Sequence, residues 1–195
     1  MATGRETQLT KQAGEYLVAA ELARRGFLAA TFSGNVPHYD IIASGQHGGH
    51  VPIQVKTKTS GSWQLDIRSF ANVRLKGKRQ TLGRSKPAPY PGLVFVFVAL
   101  NGSGRDSFYI IAWSQLRSLI CKAYRAYLPK HHGRRPRNPA SFHTDLDTGE
   151  RASFENRWSL VRPIAAHATS QRMQLAGTRS GAPRGTDARR LDKEH

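Results

Sequence analysis

Asp40, Gln54 and Lys56 supply a carboxylate, an amide and an ammonium within one short stretch of chain. These are the group types that phosphodiester hydrolysis calls for. The ester is anionic, so cutting it needs a cation against the developing charge, a positioned water and help for the leaving oxygen. Asp40, the Gln54 side-chain carbonyl and the Val55 main-chain carbonyl are hard oxygen donors suited to Mg²⁺, with Mn²⁺ as the alternative. Lys56 then orients or deprotonates the attacking water, or stabilises the pentacovalent phosphate.

Such a site needs a scaffold that brings residues 40 and 54 together. Residues 39–44 and 51–58 are apolar-rich and β-branched, and Gly45-Gln46-His47-Gly48-Gly49-His50 between them is turn chemistry, which predicts an antiparallel hairpin. A turn centred near His47 sets Asp40 opposite Gln54, with Cβ atoms roughly 5 Å apart. Lys56 shares the face of Gln54, while Ile53 and Val55 point the other way.

Asp-x13-Gln-x-Lys, preceded by a helix carrying Gly14-Glu15, resembles the PD-(D/E)xK nuclease superfamily in its Gln-x-Lys form. By order of elements the resemblance spans roughly residues 8 to 163. It implies a restriction-endonuclease-like fold in which Asp40 is the first acidic ligand, Gln54 the second, Lys56 the active-site lysine and Glu15 the helix glutamate of resolvase-like members. On a helical wheel Glu21 is as well placed as Glu15, and only the resemblance prefers Glu15. Two departures stand out: Pro37-His38-Tyr39 separates the motif's proline from Asp40, and Gln54 replaces the commoner Glu. The resemblance implies a Mg²⁺-dependent endonuclease acting on DNA, with a homodimer or higher homo-oligomer as the expected assembly. Junction resolution, restriction, repair and homing all lie within its range. The alternative is a non-catalytic nucleic-acid-binding protein that keeps the fold, for which Gln54 is the main argument.

Charge supports a polyanionic partner. The chain has 195 residues with a formal net charge of +17 and a pI near 10.9. Residues 166–195 contribute little of this, so the excess belongs to residues 1–165, read as one domain ahead of a disordered basic tail. Lys58, Arg74, Lys76, Lys78, Arg79, Arg84 and Lys86 form one basic run, and Arg134, Arg135 and Arg137 belong to a second that has no acid. Both are expected to contact phosphate. The single cysteine, Cys121, excludes an internal disulfide and fits a reducing cytoplasm. The longest apolar run, Leu93 to Leu100, is too short to span a bilayer, so no membrane association is expected.

The remaining pattern predicts an α/β fold: a mixed sheet of five or six strands flanked by helices. Helix is expected over about 7–25, stopped by Gly26, and again over about 115–124 with Ser114 as its N-cap. Strands are expected over about 27–32, 39–44, 51–58, 62–68, 93–100 and 107–113. A basic loop is expected over 72–90, a surface loop over 129–139 and a closing element over 141–163. His47, His50, His131 and His132 have no acidic or Cys partners at zinc spacing and read as turn and loop residues.

Overall fold

Helix α1 (Gly4–Arg24) buries Gly14, Glu15, Val18 and Leu22 along one stripe and ends where Gly26 adopts φ 81°. There Gly26 N–H donates to Ala23 O at 2.9 Å and Phe27 N–H to Leu22 O at 3.1 Å, the paired bonds of a left-handed glycine stop. The computed structural model describes residues 4–32, 37–46, 48–146 and 151–162, so His47 and the expected tail of 166–195 lie outside the described residues.

Strands β1 (Leu28–Thr31), β2 (Ile41–Ser44), β3 (His50–Lys58), β7 (Val94–Ala99) and β8 (Ser107–Ala112) form a mixed sheet in the order β1-β2-β3-β7-β8. Only β3 and β7 run parallel, with Gln54 beside Phe95 and Lys56 beside Phe97. All six residues of β7 are buried, as expected of a strand covered on both faces. On one face Ile53, Val55, Val96 and Ile110 pack with Val18 and Leu22 of α1. On the other, Phe95, Phe97 and Ile111 pack with Leu116, Ile120 and Cys121 of α2 (Trp113–Lys130).

Three expected elements are corrected. The strand expected over 62–68 is a short one, β4 (Gln64–Asp66), which pairs with β9 (His143–Asp145) outside the main sheet and runs into a 3₁₀ turn at Ile67–Ser69. Trp63, Leu65 and Ile67 are still buried, as their alternation implied. The loop expected over 72–90 contains an antiparallel ribbon, β5 (Ala71–Lys76) and β6 (Arg79–Ser85), turned at Gly77 with φ 57°. Helix α2 starts before Ser114, because Trp113 is drawn into the core against Phe70 with rings 6.1 Å apart. Ala112 is the N-cap and provides no side-chain bond. The helix also continues past Tyr124, since Tyr124 and Leu128 extend the buried stripe begun by Leu116 and Ile120. The closing element after β9 consists of 3₁₀ turns at Arg151–Phe154 and Trp158–Leu160, with Phe154 and Trp158 buried.

Candidate active site

Asp40 stands one residue before β2, and its N–H donates to Ile53 O at 2.8 Å, extending the ladder. The observed register, Ile41 opposite Ile53 and Ala43 opposite Val51, carries Asp40 opposite Gln54 as the turn chemistry predicted. One carboxylate oxygen of Asp40 accepts from the Gln54 amide and from Val55 N–H, the latter at 2.8 Å. These bonds fix the rotamer of a buried carboxylate. A half-turn of the Gln54 amide exchanges its donor for its carbonyl, so one side chain can offer either group to this corner.

The second carboxylate comes from α1. Lys11 Nζ lies 3.5 Å from Glu15 Oε1 and 3.5 Å from Asp40 Oδ1, so two carboxylates share one ammonium. Burial, and then the charge of Asp40, push the Glu15 carboxyl above its ordinary value, with Lys11 opposing them. Glu15 Oε1 is buried, and the group that faces it is the Lys11 ammonium. Glu21 is engaged elsewhere, with Arg24 at 3.2 Å and with Arg25. Of the two helix glutamates, Glu15 is therefore the one beside Asp40. Gly14 makes this approach feasible: a Cβ there would stand 1.8 Å from Thr57 Oγ1, so only glycine lets α1 lie so close to β3.

Gln54 and half-buried Lys56 also line a cavity of about 740 Å³. Its floor is apolar, with Phe70, Leu93, Phe95 and Trp113, and its polar lining includes Asp66, Arg68, Lys86 and His143. Asp66 is held by Arg68, whose guanidinium bonds both carboxylate oxygens and keeps the carboxyl below its usual range. His38 lines the same cavity with φ 75°, a left-handed backbone uncommon for a non-glycine residue. The segment leading to Asp40 is anchored by Tyr39, whose ring meets Phe32 at 5.5 Å and Tyr90 at 5.1 Å, both edge-on.

The basic residues separate into groups. Arg74, Lys76, Lys78, Arg79 and Arg84 are exposed on the ribbon and its turn, whereas Lys86 lines the cavity. Lys58 folds over the Trp63 ring at 4.0 Å and bonds Gly61 O. Arg134 and Arg137 are exposed, but Arg135 lies over Tyr127 at 5.0 Å and Tyr124 at 5.4 Å. His50 faces Ser44 Oγ at 2.9 Å and the His131 ring lies 4.3 Å from that of Tyr127. Among the described residues no three His, Cys, Asp or Glu cluster as a metal site. Sequence reading missed Lys11 and His38. Lys11 had a usable signal, its place four residues before Glu15 on a helix, whereas the proximity of His38 depends on the fold.

No family model matches the chain, and no curated protein matches it. Among solved structures it is similar to a bacterial homing endonuclease, I-Ssp6803I, at 14% identity over 90% of this chain and 99% of that one, with a TM-score of 0.43. That likeness is too loose to carry any residue's role across.

Proposed function

We propose that this protein is a metal-dependent endodeoxyribonuclease with a PD-(D/E)xK-type centre in which Gln54 takes the place of the usual glutamate. The reading rests on one observation: Asp40 is gripped by Gln54 and Val55, and Lys56 follows on the same strand beside a cavity with a basic rim. The donor set fits a hard divalent cation. Two buried carboxylates, Asp40 and Glu15, already bracket a positive charge, the Lys11 ammonium. Asp40, Glu15, the Gln54 carbonyl and the Val55 carbonyl would hold Mg²⁺ or Mn²⁺. When bound, the ion supplies concentrated positive charge against the charge that builds on phosphate.

The chain's own groups do the rest. Lys86 and Arg68 at the cavity rim draw in the DNA backbone, and Lys56 donates to a non-bridging oxygen of the scissile phosphate. Water attacks phosphorus and releases a proton to solvent, the P–O bond to the leaving oxygen breaks, and that oxygen takes a proton back from solvent. Lys56 is worth most in the transition state, where the phosphate oxygens carry the greatest charge.

Gln54 motivates a second reading, a DNA-binding protein with a retired site, because a neutral amide binds Mg²⁺ less strongly than a carboxylate. Gln54→Glu separates the two on supercoiled DNA with and without Mg²⁺. A working site cuts as wild type and changes rate modestly on substitution. A retired site is inert as wild type and begins cutting as Gln54→Glu. Inertness of both proteins with every metal and DNA form would refute the site.

A further inference from the structure

The β5–β6 ribbon lies outside the main sheet, and its two faces are chemically unlike. The register sets Val73 opposite Leu82 and Leu75 opposite Gln80. Toward the core, Val73 and Leu82 pack against its cluster, and Gln80 donates to Ser141 O at 3.0 Å and accepts from the Tyr124 hydroxyl, while Leu75 near the turn is exposed. Strand alternation puts Arg74 and Lys76 on the outer face of β5, with Arg79 and Thr81 beside them on β6, and Asn72 is exposed at the register shift between Ala71 and Val73. All five are exposed, and no acid lies on either strand.

That outer face has shape as well as charge. Asn72, Val73, Arg74, Thr81, Gly83 and Arg84 line a concavity of about 450 Å³. A Cβ at Gly83 would lie 3.3 Å from Asn72 O and press on the neighbouring strand's backbone. The root of the ribbon closes with Lys86 N–H donating to Phe70 O at 2.8 Å, and both residues line the cavity that holds Lys56. A polyanion seated at Lys56 therefore meets the ribbon where it leaves the body.

We propose that the outer face of this ribbon reads base edges in the major groove of duplex DNA. Arg74, Arg79 and Asn72 face the bases, while Lys76, Lys78 and Arg84 hold the flanking phosphates. The groove, about 12 Å wide, admits a two-stranded ribbon. Strands of this length extend roughly 20 Å at about 3.3 Å per residue, more than half of the roughly 34 Å duplex repeat. Phosphate attraction alone would need only cations. Asn72 and Thr81 interleaved with arginines add the side chains that pair with adenine and touch the thymine methyl, beside the Arg fork that matches guanine. The proposal rests on the DNA-cutting reading and adds sequence preference to it.

Selection from randomised duplexes by the full-length protein in EDTA tests it, alongside Arg74→Ala, Arg79→Ala, Asn72→Ala and Lys76→Ala. Wild type is expected to enrich a short sequence. Each of the first three variants should lose discrimination at one or two base pairs, by roughly ten- to hundredfold. Lys76→Ala should weaken binding to all sequences alike and lower the log-log salt slope by about 0.9. Binding and metal-dependent nicking by wild type with no enriched sequence, or variants that enrich the wild-type sequence unchanged, would overturn the ribbon proposal alone. Absence of both binding and nicking would overturn it together with the nuclease reading.

Discussion

At the head of β2 two carboxylates share a single lysine in a buried corner, whereas on the β5–β6 ribbon Arg74, Lys76 and Arg79 stand exposed with no acid on either strand. The corner has few charges, each strongly felt because the two carboxylates are buried and their partners fixed. The ribbon has many charges, each screened by solvent and salt and effective mainly by number. One small fold thus separates a place where a single atom decides the chemistry from a surface where contributions accumulate. Substitutions should act in an all-or-none way at the corner and in a graded way on the ribbon.

The largest expected effect is at Asp40. Asp40→Asn keeps an acceptor for Val55 N–H, so folding should survive, but removes the charge that pairs with Lys11 and that the proposed metal would use. Cutting should fall by at least about 10²-fold, on the scale of losing one preorganised electrostatic group, with DNA affinity little changed. Nicking rates and melting curves on the same preparation check this. A variant that cuts at the wild-type rate would dissolve the contrast between corner and ribbon.

Next in size is a packing effect with no counterpart on the ribbon. Gly14→Ala places a methyl group 1.8 Å from Thr57 Oγ1, which forces α1 off β3 and moves Glu15 away from Asp40. Overpacking of this kind costs about 1–3 kcal/mol, lowering Tm by several degrees for a domain of this size. Thr57→Gly in the same chain should restore much of the loss, as calorimetry would show.

A smaller effect follows pH. The Glu15 carboxyl is raised in the folded chain, so the native state holds that proton more tightly than the unfolded chain does. Its contribution to metal-free stability is present at acid pH and is lost as pH rises from the ordinary glutamate range through the raised native value. Mg²⁺ affinity should rise across the same window as the proton is released. Denaturation midpoints and metal titrations against pH measure both, and Glu15→Gln should flatten both. The smallest effect belongs to the ribbon's flanks: Lys78→Ala or Arg84→Ala should each lower the salt slope of DNA binding by about 0.9, with cutting preserved at low salt.

Much of the corner was legible in the sequence, because strand alternation and turn chemistry are local and the register they set is the one observed. The wheel of α1 alone could not choose between Glu15 and Glu21. That choice depends on where the helix packs, which the fold fixes through Gly14 against Thr57 and through the pairing of Glu21 with Arg24 and Arg25. In sequence the ribbon resembles a loop, because its strands carry so many cations that the half-buried alternation of Val73 and Leu82 is faint. Its inner face is completed by Gln80 bonding Tyr124, a contact 44 residues away in sequence that no local pattern announces. The length of α2 was readable and was underestimated, since Leu116, Ile120, Tyr124 and Leu128 continue one stripe to its end.

The most direct test of the central claim compares wild type with Lys56→Ala on supercoiled plasmid, with Mg²⁺ and with EDTA, while DNA affinity is measured alongside. Wild type should nick only with metal, and Lys56→Ala should bind DNA nearly as well yet fail to nick, because one cation among many adds little to backbone affinity but stands alone at the scissile phosphate. Nicking by Lys56→Ala at the wild-type rate, or metal-independent nicking by wild type, would contradict the account.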